Sequence, residues 1–279
     1  MNKNNNGFLI NFLLIVAIMG IVALIVIFPE SEETATLRIG AGDDMAGSIL
    51  KKVISQNEFD FEIETYYLKD CWAPTAQWSL KSNVYDVAMI CTDAADKFIE
   101  ASDDFVLLGT ITENTDVLIK KDNNVKKIGL TSNKDYLSDF IREKYTDAEI
   151  EYMSPHSFGY AYESDQIDGY VIDIGLINSN LEGEIENVSD SDYGSNVIIA
   201  NRKILKDKKF KEFLDSYNKM VLEYNKNPNP DYFEFKFGKD ERRNEIWKVK
   251  LRKIDLKQWW NLKNLVKKYI NMVLLLYYL

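Results

Sequence analysis

Residues 85–95, with the sequence YDVAMICTDAA, contain the pattern that decides the fold class. Residues 85–90 are a nearly continuous apolar run, which is typical of a strand in a sheet covered on both faces. Asp93 then favours the beginning of a helix, because its carboxylate can accept a hydrogen bond from an amide of the first helical turn. We therefore predict a strand at 85–90 and a helix at 94–102.

The same alternation of strands and helices extends in both directions from this stretch. Further strands are predicted at 37–41, 61–67, 105–111, 116–120, 127–130, 149–153, 167–172 and 196–200. Further helices are predicted at 45–55, 75–82, 136–145, 158–162, 173–178 and 204–224. This order predicts an α/β fold with mostly parallel sheets, and its restart near residue 127 predicts two lobes.

Charge is distributed unevenly along the 279 residues, whose net charge is -10. Residues 30–238 contain 40 acidic and 22 basic side chains, whereas residues 239–279 contain 11 basic and four acidic ones. An acidic body repels phosphate groups, so the sequence argues against nucleic-acid binding by the body.

Residues 8–28 form an apolar run that only Asn11 interrupts. At about 1.5 Å per residue, a helix of this length spans a hydrocarbon core of about 30 Å. A cleaved signal peptide has a shorter apolar region and ends at small residues, which the Pro-Glu-Ser-Glu-Glu that follows lacks. We therefore predict that residues 1–35 are a cytoplasmic stub and an uncleaved transmembrane anchor. Lys3 before the run, and acids after it, place the body outside the cytoplasm.

Six segments occur in an order and spacing that carry more information than any one of them. They are LRIGAGDD (37–44), YDVAMICTDAA (85–95), LLGTITENTDVLI (107–119), KKIGLT (126–131), QIDGYVIDIGLIN (166–178) and SNVIIANRKIL (195–205). In this order they resemble the type 2 periplasmic solute-binding proteins of ABC importers, near the branch that binds nitrate, sulfonates and thiamine precursors. The resemblance covers about residues 36–235.

The resemblance implies a split fold with a ligand between two lobes. Its parts are lobe one at 36–116 plus 197–237, lobe two at 117–196, and a hinge near 112–120 and 194–199. It further implies a small-molecule ligand, an ABC permease and its ATPase as partners, and neither a cofactor nor a chemical step. Residues 238–279 lie beyond the resemblance, and we expect a basic tail of uncertain structure there, either a remnant or a loosely ordered helix.

Ligands of open α/β sheets bind at the carboxyl ends of the strands, where loops and helix amino termini meet. This rule selects five loops of the sequence. The candidate ligand-binding residues in them are Gly42, Asp43, Asp44, Trp72, Thr92, Asp93, Thr131, Ser132, Asn133 and Asp173. Each also has a purely structural interpretation, as a turn, a helix cap or, for Trp72, a core aromatic residue.

The acids among these residues bear on the class of ligand. Asp43, Asp44, Asp93 and Asp173 disfavour a simple anion, although the turn 131–133 before a helix could hold an anionic group. The bases that adjoin the five loops are Lys69 and Lys134. We therefore predict a small neutral or cationic ligand, including a heteroaromatic one that contacts Trp72.

Cys71 and Cys91 are the two cysteines of the chain. They could be inert buried thiols, a disulfide pair, or thiols that contact the ligand, and the sequence leaves these alternatives open. Two thiolates are too few for a structural zinc site.

The sequence contains no phosphate-binding loop, nucleophile elbow or zincin motif, so we expect no enzyme, catalytic residue or metal site. His156, the single histidine, is expected in a solvated loop. The first alternative to an importer component is a membrane-tethered sensor or interaction module with the same fold. A less favoured alternative is an enzyme that acts on pyrimidine precursors.

Overall fold

The computed structural model describes residues 36–68, 84–132, 134–177, 183–233 and 247–257. The predicted anchor at 8–28 and the predicted helix at 75–82 lie outside these ranges, as do Cys71, Trp72 and Asn133. Within the described ranges, no helix combines the length and the apolar character that crossing a bilayer requires.

The described chain alternates strands with helices, as the apolar pattern predicts. Its strands are β1 (Leu37–Gly42), β2 (Ile63–Leu68), β3 (Val87–Cys91), β4 (Phe105–Glu113), β5 (Asp116–Lys120), β6 (Lys127–Leu130), β7 (Glu149–Tyr152), β8 (Gly169–Asp173), β9 (Glu184–Asn187), β10 (Gly194–Asn201) and β11 (Lys250–Leu251). Its α-helices are α1 (Met45–Gln56), α2 (Thr92–Glu100), α3 (Asp135–Lys144), α4 (Phe158–Glu163) and α5 (Lys208–Tyr224). Short 3-10 helices occupy Pro155–Ser157, Ile174–Leu176, Arg202–Ile204 and Pro230–Phe233.

The strands form two separate sheets. The first sheet has the order β11-β4-β10-β3-β1-β2, and the second has the order β7-β6-β8-β5-β9. β1 is parallel to β2 and β3, and β6 is parallel to β7 and β8. β10 is antiparallel to both of its neighbours, β5 is antiparallel to β8 and β9, and β11 is antiparallel to β4. The prediction of mostly parallel sheets is therefore wrong, because an apolar run marks a buried strand without recording its direction.

The chain passes between the two sheets twice. It leaves the first sheet at residues 114–115, between β4 and β5, and returns at residues 188–193, between β9 and β10. Asn114 at the first crossing adopts a left-handed backbone conformation, with φ of 62°. Asparagine tolerates this conformation better than most residues do, because its short polar side chain can bond locally.

Helix α5 shows how the apolar pattern builds the core. Its buried residues recur every three or four positions, so they cover one face of the helix, which lies in the core shared with β1, β4 and β10. The predicted helix at 204–224 begins instead at Lys208, because the Asp207 side chain accepts the Lys209 N–H and caps the helix there. The prediction that Asp93 caps α2 is also wrong: Cys91 is the N-cap, and Asp93 lies in the first turn.

Residues 247–257 belong to the first sheet and its helix layer. β11 pairs with the end of β4, with Leu251 opposite Thr112. Trp247 is buried, and its Nε1–H donates to the Tyr224 hydroxyl at 2.8 Å. The expectation of a loosely ordered basic helix is therefore wrong for this segment, because four apolar residues (Trp247, Val249, Leu251 and Ile254) are buried in the core between its exposed bases. The alternative that the tail is a remnant stays a prediction.

Candidate functional site

Buried polar residues are concentrated where the chain passes between the sheets. Thr112, Thr115, Asp116, Asp173, Ser195 and Asn196 are each at most 3 % exposed. We call Asp44, Thr115, Asp116, Lys134, Asp173 and Asn196 the inter-sheet cluster. Because burying a polar group is costly unless it is hydrogen-bonded, each of these groups needs identified partners.

Asp173, at the end of β8, joins the second sheet to the first helix. Its Oδ1 accepts the Met45 N–H at 2.9 Å and the Gly175 N–H at 2.8 Å, and its Oδ2 accepts the Thr115 hydroxyl at 2.7 Å. Met45 is the first residue of α1, which lies against the first sheet. A carboxylate of one sheet thus occupies the positive end of a helix of the other.

Gly175 permits this close approach. A Cβ atom at that position would lie 2.5 Å from the Met45 nitrogen and 2.7 Å from the Asp44 carbonyl carbon. Both distances are shorter than non-bonded atoms tolerate, so any larger residue would push the Asp173 loop away from α1.

Asp44 is the N-cap of α1. Its Oδ1 accepts the Ala46 N–H at 2.9 Å, and its Oδ2 accepts the Asn196 side-chain amide at 3.3 Å. The Thr112 hydroxyl in turn donates to the Asn196 Oδ1 at 2.6 Å. The first two amides of α1 are therefore both satisfied by carboxylates of the protein itself.

Asp116, at the beginning of β5, pairs with the one ammonium group of the cluster. Its Oδ1 lies 2.8 Å from the Lys134 Nζ, and its Oδ2 accepts the Tyr136 hydroxyl at 3.1 Å. The Asp116 side chain is fully buried, and that of Lys134 is 14 % exposed. The Tyr193 hydroxyl donates to the Asp116 carbonyl oxygen at 3.2 Å, which ties the second crossing to β5.

Burial and mutual repulsion shift the protonation of this cluster. Burial raises the pKa of Asp173 to about 8, and the charges of Asp44 and Asp116 add to the shift. Burial also raises the pKa of Asp44, although the charge of Lys134 opposes that change. For Lys134, burial would lower the pKa, but the charge of Asp116 and further charges raise it well above its ordinary value. Lys134 therefore stays charged and faces three carboxyl groups.

A small cavity of about 50 Å³ adjoins the cluster. Its lining residues come from both sheets and are Gly42, Asp43, Asp44, Leu68, Thr131, Lys134, Pro155, Val171, Ile172, Asp173 and Leu176. This volume holds a few water molecules or a group the size of an ammonium or methylammonium ion. A larger cavity, of about 960 Å³, lies along α5 and residues 252–257, away from the inter-sheet cluster.

Solved structures with this two-sheet architecture exist, although no protein-family model and no curated protein sequence matches the chain. The ligand-binding component of an ABC-type import system from Staphylococcus aureus, solved with zinc bound, superposes with a TM-score of 0.56 at 17% identity, over 84% of this chain and 91% of that one. The alkanesulfonate-binding protein from Xanthomonas axonopodis pv. citri, bound to MOPS, gives 0.51 at 13% identity, over 69% and 75%. Lipoprotein Tp32 from Treponema pallidum gives 0.54 at 11% identity, over 78% and 99%.

The chain has the fold of a type 2 periplasmic solute-binding protein. Sequence identities of 11–17% establish a shared fold but not a shared function, which depends on the residues of the site. In this solute-binding fold the inter-sheet cluster lies between the two sheets, at the ends of β1, β3 and β8 where the chain crosses.

The structure brings five of the predicted site residues to one cavity: Gly42, Asp43, Asp44, Thr131 and Asp173. Thr92 lies beside the second crossing, where its hydroxyl contacts the carbonyl oxygens of Gly194 and Ser195 at 3.1 and 3.3 Å. Ser132 is exposed, and Asp93 is half-buried in the first turn of α2. Neither of these two residues lines the cavity.

The rule for open sheets does not find Asp116, Thr115 or Asn196, because it covers only the carboxyl ends of strands. β5 is antiparallel to β8, so Asp116 at its amino end lies opposite Asp173 at the carboxyl end of β8. β10 likewise places Asn196 opposite Cys91 at the end of β3. In the sequence, the polar pair Thr115-Asp116 directly before the apolar residues 117–119 is the pattern that indicates a polar group at the beginning of a buried strand.

The remaining chemical candidates lie away from the cavity or outside the described residues. Cys91 is buried in an apolar cluster beside α2, and the alternatives for its pairing with Cys71 stay open. His156 is exposed. Within the described part of the chain, no group of three or more histidine, cysteine, aspartate or glutamate residues could hold a metal ion.

Proposed function

We propose that the chain is the solute-binding component of an ABC importer and captures a small neutral or cationic ligand between two lobes. Lobe one, residues 36–116 plus 197–237, contains most of the first sheet, and lobe two, residues 117–196, contains most of the second. The observation that carries the proposal is the hydrogen bond from the Met45 N–H to Asp173, which joins the lobes across a cavity lined from both sides.

The charges of the cluster favour a cation over an anion. A helix amino terminus ordinarily attracts anions, but at α1 the Met45 and Ala46 amides already bind Asp173 and Asp44. An anion would raise the pKa of Asp173 and of Asp44 still further, and wherever these groups ionise it would face negative charge that one ammonium only partly neutralises. A cation would offset that excess and would lower the pKa of Asp173, so that the carboxyl group ionises as the ligand binds.

The ligand would bias an equilibrium between open and closed lobes rather than undergo a reaction. A ligand that contacts both lobes stabilises the closed form by its differential affinity for that form. The closed form would then dock on the permease, and its ATPase would drive transport. We propose that residues 8–28 anchor the module to the membrane and that the body lies outside the cytoplasm, as the flanking charges predict.

Thermal unfolding of the full-length protein against a panel of solutes tests the capture function. The panel contains amines, pyrimidines, amino acids, sulfonates and nitrate. A ligand at about 100 times its Kd stabilises the folded state by about 2.7 kcal/mol, and we expect such a shift from amines or neutral heteroaromatic compounds. Stabilisation by nitrate or sulfonates alone would contradict the proposed ligand class.

Gly175→Leu provides the matched variant for this experiment. A leucine side chain would force the Asp173 loop away from α1 without removing any charge of the cluster. We expect the variant to lose the stabilisation by solutes. If solutes stabilise the variant as strongly as the wild type, they bind elsewhere, and the inter-lobe site is the wrong one.

A further inference from the structure

Residues 247–252 lie against both segments that connect the two sheets. We propose that they brace the hinge: they hold the two crossings together and so limit how far the lobes move apart. The proposal goes beyond solute binding, and it rests on the proposed function only in taking the two crossings, residues 114–115 and 188–193, as the hinge between the lobes.

Hydrogen bonds hold the brace against helix α5 and strand β4 of lobe one. The Tyr224 hydroxyl donates to the Val249 carbonyl oxygen at 2.8 Å, and the Asn225 side-chain amide donates to the Leu251 carbonyl oxygen at 3.1 Å. The Arg252 N–H donates to the Ile111 carbonyl oxygen at 3.0 Å. Together with the buried Trp247, these bonds fix the segment on α5 and β4, so it can act as a rigid support.

Asn114 connects the brace to both crossings. Its side-chain amide donates to the Lys248 carbonyl oxygen at 3.2 Å and to the Asp192 carboxylate at 2.8 Å. Its backbone N–H donates to the Tyr193 carbonyl oxygen, and its Oδ1 accepts the Tyr193 N–H, both at 3.1 Å. One residue with a left-handed backbone thus joins the first crossing, the second crossing and the brace.

Ion pairs from the brace bind the end of β4, next to the first crossing, and the second crossing separately. Arg252 binds Glu113 through two parallel contacts of 2.7 Å, which is the geometry in which arginine pairs bind carboxylates best. Lys250 pairs with Asp192 on the second crossing, and the Lys248 Nζ lies 3.9 Å from the Asp190 Oδ1. Lys250 and Arg252 are therefore positioning residues: they contact the hinge or the strand end next to it, and neither lines the small cavity.

Because the brace contacts the hinge, loosening it should also weaken the contact between the lobes at Met45. Lobe opening requires backbone rotation at residues 114–115 and 188–193, and it breaks the hydrogen bond from the Met45 N–H to Asp173. A brace that ties both crossings to β4 opposes that rotation. Removing the ion pairs of Lys250 and Arg252 should therefore make the Met45 amide exchange faster with solvent, although Met45 does not contact the brace.

Hydrogen–deuterium exchange of the full-length protein, with no added solute, tests this inference. The variant is Lys250→Gln with Arg252→Gln, and the matched control is Lys253→Gln with Lys257→Gln, which removes two exposed charges from the same segment. Exchange is compared at three places: the inter-lobe contact at 43–48, the hinge at 112–116 and 188–196, and the sheet interior at 127–130.

We expect exchange at 43–48 and at the hinge to become about fivefold faster in the Lys250 and Arg252 variant. The sheet interior and the control variant should match the wild type. Reversing the pair, with Glu113→Arg and Arg252→Glu, should restore slow exchange at 43–48 relative to Arg252→Glu alone.

Two results would overturn the brace. Unchanged exchange at 43–48 would mean that the segment stabilises only its own surroundings. Equal acceleration at 127–130 would mean that the variant is destabilised throughout. Because no solute is present, either result is independent of whether the chain binds the ligand proposed above.

Discussion

Burial stabilises the sheet interiors, whereas it costs free energy in the inter-sheet cluster. β3 and β5 are buried along their whole lengths, and most of their residues are apolar, so leaving water stabilises them. The cluster buries or partly buries three carboxyl groups and one ammonium group, whose desolvation costs free energy that ion pairs only partly return. The interiors therefore supply most of the stability of the fold, whereas the cluster adds little net stability and, in the function proposed above, serves binding.

The largest expected effect lies in the interior. Phe213→Ala removes a fully buried ring from the face of α5 that lies in the core. We expect the free energy of unfolding to fall by about 4 kcal/mol, because the lost ring leaves a cavity that the surroundings fill only in part. Urea unfolding measures this change. Tyr160→Ala, at a side chain that is 71% exposed, is the control, and an equal loss there would contradict the assignment of the core.

The next effect lies in the cluster and depends on pH. Lys134→Met keeps most of the length of the side chain but leaves three carboxyl groups without their cation, which should cost about 3 kcal/mol at pH 8. The loss should be smaller at pH 5, because Asp173, whose pKa burial raises to about 8, then holds a proton and needs no cation. Urea unfolding at the two pH values checks both statements.

Lys127→Met is the matched control for that change. Lys127 is 48% exposed, and its ion pairs with Glu149 and Glu151 are 3.7 and 3.6 Å long. Exposed pairs of this kind contribute less than about 1 kcal/mol. A pH-independent loss in Lys134→Met, or a loss of the same size in Lys127→Met, would show that the cluster does not behave as a buried ionic site.

The same contrast explains how much the sequence reveals. Apolar periodicity reports burial directly, so the predicted strands at 116–120 and 127–130 coincide with β5 and β6. It failed at β9, because Glu184–Asn187 is a half-buried edge strand with charged residues at alternate positions. It failed at β11 for a related reason: the bases of residues 248–253 conceal the apolar residues between them.

The candidate site could be predicted only in part, because its geometry depends on strand direction. Asp44 and Asp173 follow strands whose carboxyl ends reach the cavity, so the rule for open sheets finds them. Asp116 and Asn196 reach the same region from the amino ends of antiparallel strands. No local pattern distinguishes a strand that enters a sheet in one direction from a strand that enters it in the other.

A third prediction concerns the protonation of Asp173. Its pKa is about 8 in the folded protein and about 3.9 in an unfolded chain. The folded state therefore keeps a proton that the unfolded state has lost, and stability should fall as the pH rises towards 8. Asp173→Asn keeps an oxygen for the Met45 and Gly175 N–H groups, and its amide NH2 can donate to the Thr115 hydroxyl instead of accepting from it. This variant should remove about 2 kcal/mol of that fall between pH 6 and pH 8. An identical pH dependence in wild type and variant, measured by urea unfolding, would contradict the assigned protonation.

A fourth, smaller effect tests the segment that joins the first sheet from beyond residue 246. Tyr224→Phe removes the hydroxyl that accepts the Trp247 Nε1–H and donates to the Val249 carbonyl oxygen. We expect a loss of about 1 kcal/mol in the free energy of unfolding, because two buried partners lose a hydrogen bond. Tyr160→Phe, at an exposed ring, should change nothing measurable, and an unaffected Tyr224→Phe would argue that residues 247–257 do not belong to the core.

The most direct test of the central claim uses two probes that share a ring and differ in charge. The melting temperature of the full-length protein is measured with 3-picolylamine and with pyridine-3-sulfonate, each over a concentration series at pH 8.5. We expect the amine to raise the melting temperature in a saturable way and the sulfonate to leave it unchanged. The reason is that the cavity between the sheets lies beside three carboxyl groups and only one ammonium group. A saturable rise with the sulfonate and none with the amine would contradict this expectation.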